Sequence, residues 1–355
     1  MKISNLLLSL IFLFSPVKAK IEVENVYIVS QISSKDSVES IPDDKPKYPI
    51  KDLENAILGI VVEAKKDGKK VYFSEFDQFE INGKIVDDSL IEKPENLEGI
   101  EIRWYKVEPD RGPYSNEKIV NGKRVFQVDK IIYREIEWPC STNCWKRFAD
   151  VTPVFLDKND VGTMRYKVEI KYDGKTFSTQ SKDKAHRISV RGNTGNEIID
   201  WAYSFFNLPY IWGSTSKQVE NYIGFDCADF VVAAGRKAGF DVPYTWTPDL
   251  PRYLEKITQL LEFDSLDEEG YYYDRNKKIV KFDEGGVKPG DVVLWKRHAG
   301  ILLKDCSNPE GKDKGKPNGI LDKYDIVIHT LFHEPKEEEI GKAYIGPIRI
   351  LRFKK

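Results

Sequence analysis

The stretch 224–239, GFDCADFVVAAGRKAG, sets a cysteine between an aspartate and a run with helical spacing. Cys227, Phe230, Val231, Ala234 and Ala238 recur at the intervals that put apolar side chains on one helix face. Asp226 suits an N-cap and Gly239 a C′ position, so the spacing predicts a largely buried helix with Cys227 in its first turn. A thiol there is open to several readings: nucleophile, half of a disulfide, metal ligand or small core residue. The helix N-terminus itself favours the thiolate, through the macrodipole and the unpaired N–H groups.

Upstream, NEIIDWAYSFFNL (196–208) has a second helical pattern that Pro209 ends, and PYIWGSTS (209–216) reads as a loop. Downstream, after a mixed insertion from Pro251 to Gly286, VKPGDVVLWKRHAGILLKD (287–305) gives two strands. YDIVIHTLF (324–332) and AYIGPIRILRF (343–353) give two more, with a polar, Lys- and Gly-rich loop from Cys306 to Gly319 between. Helices first and an antiparallel sheet after is an α+β layout. His298 opens one of these strands and His329 lies inside another. If the strands are neighbours, both imidazoles face one side, and Cys227, His298 and His329 make a thiolate, a general base and its orienting partner. The backbone N–H of Cys227 and the Tyr210 hydroxyl are candidate oxyanion donors. A zinc site from the same three side chains is an alternative on ligand type. His186 and His333 read as surface residues.

The chain before this unit, from about Ile21 to Ser181, is strand-rich. Met164, Tyr166, Val168, Ile170 and Tyr172 alternate with Arg165, Lys167, Glu169 and Lys171, and Asp173-Gly174 supplies a hairpin turn. Asp67-Gly68, Asn82-Gly83 and Asn121-Gly122 mark further turns, and Ile100, Ile102 and Trp104 alternate inward. Short strands with a central Trp and a late Tyr suggest an all-β sandwich that resembles an immunoglobulin-like domain in architecture, without its inter-sheet cysteine pair. The polar segment SKDKAHRISVRGNTGN (181–196) reads as a connector.

The 355 residues suit two units, and 41% hydrophobic with 32% charged residues is an ordinary globular composition. A net charge of −2, with both signs interleaved, gives no footprint for nucleic acid or an anionic membrane surface. MKISNLLLSLIFLFSPVKAK has the anatomy of a secretory signal peptide with cleavage after Ala19, and its apolar run is too short to span a bilayer. The expected arrangement is a signal peptide (1–19), a β-sandwich accessory domain (20–185) and a second domain (193–355), secreted or periplasmic, with no integral membrane segment once the signal is removed. Export favours paired thiols, so Cys140 and Cys144 are candidates for a small disulfide loop. Cys227 and Cys306 either bridge each other or leave Cys227 as a free thiol.

The motifs LPYIWGS, GFDCADFVVAAGRKAG, VKPGDVVLW, HAGILL and IVIH stand in the order and rough spacing of the NlpC family of papain-like cell-wall peptidases, which residues 193–353 resemble. The resemblance implies a papain-like domain with a helix-borne cysteine packed on an antiparallel sheet. It implies Cys227 as nucleophile, His298 as general base, His329 as orienting residue, and Tyr210 on the oxyanion side of the cleft. Asp226 matches a residue that can contact the amine of a stem peptide, and Gly290-Asp291 the turn before the histidine strand. The implied activity is hydrolysis of amide bonds in peptidoglycan stem peptides, as endopeptidase or amidase, without a cofactor or metal. The partner is then peptidoglycan or another cell-wall peptide. The chain departs from the pattern at Ala228 and Asp229, where Ser and Gly are usual, and at Ser214, where a second Gly is usual. Asp229 adds negative charge near the thiol and works against a lowered pKa. Two other readings follow: a catalytically inactive peptide-binding or scaffold module, and a thiol amidase or acyltransferase acting on another amide.

Overall fold

The computed structural model describes residues 19–34, 40–141, 144–154, 160–263, 269–283, 285–311 and 313–354. The signal-peptide reading falls on residues outside these, apart from Ala19. The described chain is mostly β, with several sheets.

Two five-stranded sheets make the front part. In one, strand Glu54–Lys66 pairs along its whole length with Ile21–Ser34, and on its other side with Lys69–Ser74 and Lys146–Phe148. In the other, Gly162–Tyr172 lies between Glu101–Pro109 and the pair Lys175–Ser178 and His186–Val190, with Tyr133–Glu137 outermost. Leu58, Ile60, Val62 and Phe73 from the first sheet meet Trp104, Met164, Tyr166, Val168 and Ile170 from the second in one apolar layer. This is the alternation read from the sequence, buried as two packed sheets bury it. The Asp-Gly and Asn-Gly turns all take positive φ, as the hairpin reading requires (Asp173 at 47° and Gly174 at 73°, for example). The first three long strands follow one another within a single sheet, whereas the immunoglobulin order crosses to the second sheet after two. The likeness is therefore one of layers, not of connectivity. The segment read as a connector contains the strand His186–Val190, which completes the second sheet.

Behind it stands a six-stranded antiparallel sheet: Glu255–Lys256, Arg349–Arg352, Val292–Leu294, Ala299–Lys304, Ile326–His329 and Lys336–Glu339, in spatial order. One face buries Val292, Leu294, Ile301, Ile328 and Leu351 beneath helix Cys227–Lys237 and helix Glu197–Tyr203. The other buries Val293, Leu302, Val327 and Ile350 under Leu261, Tyr272, Val287, Leu321 and Ile340. Covered on both faces, these strands read as unbroken apolar runs. The cysteine helix comes close to the sheet because of Gly235: a Cβ there would stand 2.1 Å from Phe353.

The two parts are fastened by polar groups. Arg165 is buried, and its guanidinium donates to the carbonyls of Tyr222 (2.6 Å) and Asn221 (3.1 Å). Arg187 donates to the Asn221 carbonyl at 2.7 Å. Strand Tyr114–Ser115 of the front part pairs in parallel with Ile211–Trp212, inside the loop that carries Tyr210. Asn116 then donates to the Gly213 carbonyl at 2.9 Å and to Gln218 at 2.7 Å. The face of Gly162–Tyr172 expected to meet solvent is thus partly an internal joint.

Candidate active site

Helix Cys227–Lys237 begins as its sequence dictates. Asp226 Oδ1 accepts from the N–H groups of Ala228 and Asp229, both at 3.0 Å, and Gly239 takes φ +94° after the last turn. Cys227 is a free thiol, as is Cys306, while Cys140 and Cys144 are joined by a disulfide. Of the two readings for Cys227 and Cys306, the unbridged one holds.

Opposite the helix start, Trp295 N–H bonds the His298 carbonyl at 2.9 Å and closes a tight turn that delivers His298 to the head of its strand. Gly300, two residues on, pairs with His329. A Cβ on Gly300 would stand 2.6 Å from Val327 Cγ2 and 3.1 Å from the His329 Cβ, so the glycine lets the two histidine strands close up. The imidazoles meet as the sequence predicts, with His298 Nε2 3.0 Å from His329 Nδ1. The chain of contacts continues to a residue the motifs did not reveal: His329 Nε2 lies 3.1 Å from Glu338 Oε2. Strand Lys336–Glu339 pairs with Ile326–His329 so that Glu338 stands opposite Val327, on the face His329 shares. Glu334-Pro335 reads as the end of the strand that carries His329, and the charged run 336–339 has no apolar alternation to announce the next.

This chain sets the tautomers. Burial raises the Glu338 carboxyl, but the bonds from Lys336 and His329 outweigh it and leave it lowered, hence a carboxylate that only accepts. His329 therefore donates from Nε2 and accepts at Nδ1, and His298 donates from Nε2. The remaining lone pair of His298, on Nδ1, is buried and has no partner among the described residues. Burial, then His329 and His333, hold His298 down at about 3. Burial and then His333 hold His329 at about 4, against the pull of Glu338. His333, read as a surface residue, is half-buried, with its ring edge-on against His329 at 5.1 Å. His186 is likewise half-buried, bonded to Ser30 at 2.9 Å.

The thiol lies near His298 but is covered. Cys227 is 4% exposed and His298 fully buried. The Sγ contacts Thr247 Oγ1 at 3.8 Å and the backbone N–H of Ala299, the residue after His298, and makes no hydrogen bond to His298 itself. Burial, and after it the charge of Asp226, push the thiol up to about 12. The sequence reading favoured the thiolate from the helix terminus alone. Full burial shifts a pKa by up to about 3–5 units, while a helix end contributes roughly 1 kcal/mol, under one unit. Desolvation therefore wins in this closed form, and both members of the pair rest neutral.

Tyr210 lies near Cys227 and Asp226. Its buried hydroxyl has no hydrogen-bond partner among the described residues. Its pKa is raised by burial and then by the nearby Cys227 and Asp226, so it remains a neutral donor. Phe332, at φ +56°, lays its ring over Tyr210 at 5.1 Å, and its neighbour Glu334 is held by Arg111 of the front part at 2.9 Å. Asp226 commits one carboxylate oxygen to the helix cap. Asp229 turns away to Ser214, whose hydroxyl donates to it while accepting from the Asp226 N–H at 3.0 Å. Two of the three departures from the motif pattern, Ser214 and Asp229, thus touch each other. Burial, then Asp226, raise the Asp229 carboxyl, so it brings less negative charge to the thiol than the sequence suggests.

No protein-family model, curated protein or solved structure matches this chain. No helix among the described residues is long and apolar enough to cross a membrane.

Proposed function

We propose that the chain is an exported cysteine hydrolase of the papain-like kind, cleaving amide bonds in peptidoglycan stem peptides, with an immunoglobulin-like front part that positions the second. One observation carries this reading: the relay from Glu338 through His329 spends every nitrogen of the two histidines except His298 Nδ1, and the Cys227 thiol meets the backbone N–H of Ala299, the next residue. The Cys140–Cys144 disulfide supports an oxidising compartment.

In the reaction, Thr247 withdraws, the thiol proton passes to His298 Nδ1, and Sγ attacks the amide carbon. The N–H of Cys227 and the hydroxyl of Tyr210 hold the oxyanion. His298 then protonates the leaving nitrogen as the C–N bond breaks, leaving a thioester. Water, deprotonated by His298, attacks that carbon, the S–C bond breaks, and the thiol regains its proton. Glu338 keeps His329 in the tautomer that lets His298 do this, and steadies the imidazolium while it exists.

Burial of the thiol favours a second reading, a peptide-binding scaffold that has lost catalysis. Digestion of purified peptidoglycan followed by mass spectrometry separates the two. The hydrolase yields stem-peptide fragments that a Cys227→Ala protein does not release; equal release by both proteins would sink the mechanism. A scaffold yields none, and leaves Cys227 inert to iodoacetamide at mildly acidic pH.

A further inference from the structure

Strands Glu117–Val120 and Lys123–Phe126 form a two-stranded ribbon that pairs with no other strand among the described residues. Asn121 and Gly122, at φ +50° and +75°, turn its tip. Its base is held firmly. Asn116 is fully buried, donates to the Gly213 carbonyl and to Gln218, and accepts the Gln127 N–H on its own carbonyl at 2.7 Å. Whatever holds the ribbon thus also holds the loop that carries Tyr210.

The ribbon is apolar where it meets water. Ile119 is 77% exposed and Phe126 60%, and Val120 and Val125 are exposed with them. The register puts Ile119 opposite Arg124 and Phe126 opposite Glu117 on one face. On the other face Val120 stands opposite Lys123 and Val125 opposite Lys118. Both faces therefore carry apolar side chains beside cations. From Lys118 to Val128 the chain has three basic residues and no acid, a local excess that the near-neutral whole conceals. Lys118 is spent on Asp129 at 2.8 Å, but Arg124 reaches Glu117 only at 4.0 Å, and Lys123 has no ion pair among the described residues. A partner protein or a second copy, packed on one face, would leave the other in water. A lipid surface meets both faces at once, and a basic, apolar tip is complementary to anionic headgroups over acyl chains.

We propose that the ribbon is a docking hairpin for an anionic membrane surface. Ile119, Val120, Val125 and Phe126 dip into the bilayer boundary while Lys123 and Arg124 stay among the headgroups. No further strand pairs the outer edges of the ribbon, so insertion stops at headgroup depth, where water still reaches those backbone groups. Docking sets the Tyr210 loop beside the lipid. The proposal does not rest on the cysteine chemistry.

The test uses the chain from Lys20 on, the form that cleavage after Ala19 leaves, so that the apolar run 6–14 adds no lipid binding. It should co-sediment saturably with vesicles of phosphatidylglycerol and phosphatidylcholine in equal parts, at least tenfold more tightly than with phosphatidylcholine alone. Lys123→Gln together with Arg124→Gln should weaken that binding at least tenfold. Ile119→Ser together with Phe126→Ser should reduce it to background. All four side chains are exposed, so both variants should keep the native urea midpoint. Amide hydrogen exchange within 117–126 should slow on the anionic vesicles. A Cys227→Ala protein should bind them as the native one does, so docking stands or falls on lipid and the hydrolase on turnover. Absence of binding to anionic vesicles, equal binding to both kinds, or indifference to both pairs of substitutions overturns the proposal. A dimer in sedimentation velocity that dissociates in the Ile119, Phe126 variant assigns the ribbon to a second copy and overturns it too.

Discussion

His186 in the front sandwich and His298 beside the cysteine helix are both desolvated imidazoles, held at about 4 and about 3 with burial as the first cause. They differ in what their nitrogens meet. His186 bonds Ser30 and the backbone of Asp44, within reach of the charges of Lys47, Asp43 and Arg187. His298 is the inner end of a relay that leaves through His329 to a carboxylate, and its other nitrogen is unspent. The same desolvation thus accompanies a structural residue in one region and, in the proposed mechanism, a base in the other. A lowered pKa records burial; a free lone pair with an oriented neighbour records chemistry.

The sharpest way to break this contrast is substitution. Cys227→Ala and His298→Ala should each lower hydrolysis of purified peptidoglycan fragments by about 10⁴-fold. His186→Asn should leave kcat/KM within about twofold. Comparable losses at His186 and His298 would dissolve the distinction. Next in size is the joint between the parts. Arg165→Leu strands the buried Tyr222 carbonyl, while that of Asn221 keeps its bond from Arg187, and should cost about 1–3 kcal/mol in urea unfolding. Smaller again is Glu338→Gln, which keeps the shape but lets an amide nitrogen present itself to His329. It should lower kcat about tenfold to hundredfold with KM little changed. A variant with native kcat would end the relay at His329.

Acid titration sharpens the comparison further. Both folded pKa values lie below the ordinary histidine value of 6.5. The unfolded chain therefore takes up protons from about pH 6.5 downward that the folded chain refuses. The stability tied to each neutral ring is whole above that pH and is lost as pH falls towards the folded pKa. Each such ring should steepen the decline by up to about 1.4 kcal/mol per pH unit. His186→Asn and His298→Asn should both flatten it, and both rings should stay neutral by NMR at pH 5. Only the His298 variant should also lose activity, which would separate burial from function in one protein pair.

Much of this was legible in order along the chain. The helix from Cys227 was readable because its cap, apolar spacing and terminal glycine are all local. The hairpin turns were readable because Asp-Gly and Asn-Gly pairs relieve positive φ wherever they occur. The meeting of His298 and His329 followed from two adjacent strands of known alternation. Glu338 was missed because its place depends on a further strand and on the register of that strand with His329. Arg165 looked like an outward residue because alternation says which face a side chain takes, not what later covers that face. The helix terminus promised a reactive thiol, and Thr247, from a loop 20 residues on, shut it in.

What the sequence alone determined, then, was each element and the chemical type of its side chains, since both rest on short-range sterics and periodicity. Tertiary structure alone decided which polar groups were left unpaired, because that depends on layers closing from distant parts of the chain. Desolvation, which exceeds any local helix-end effect here, arises only at that closure.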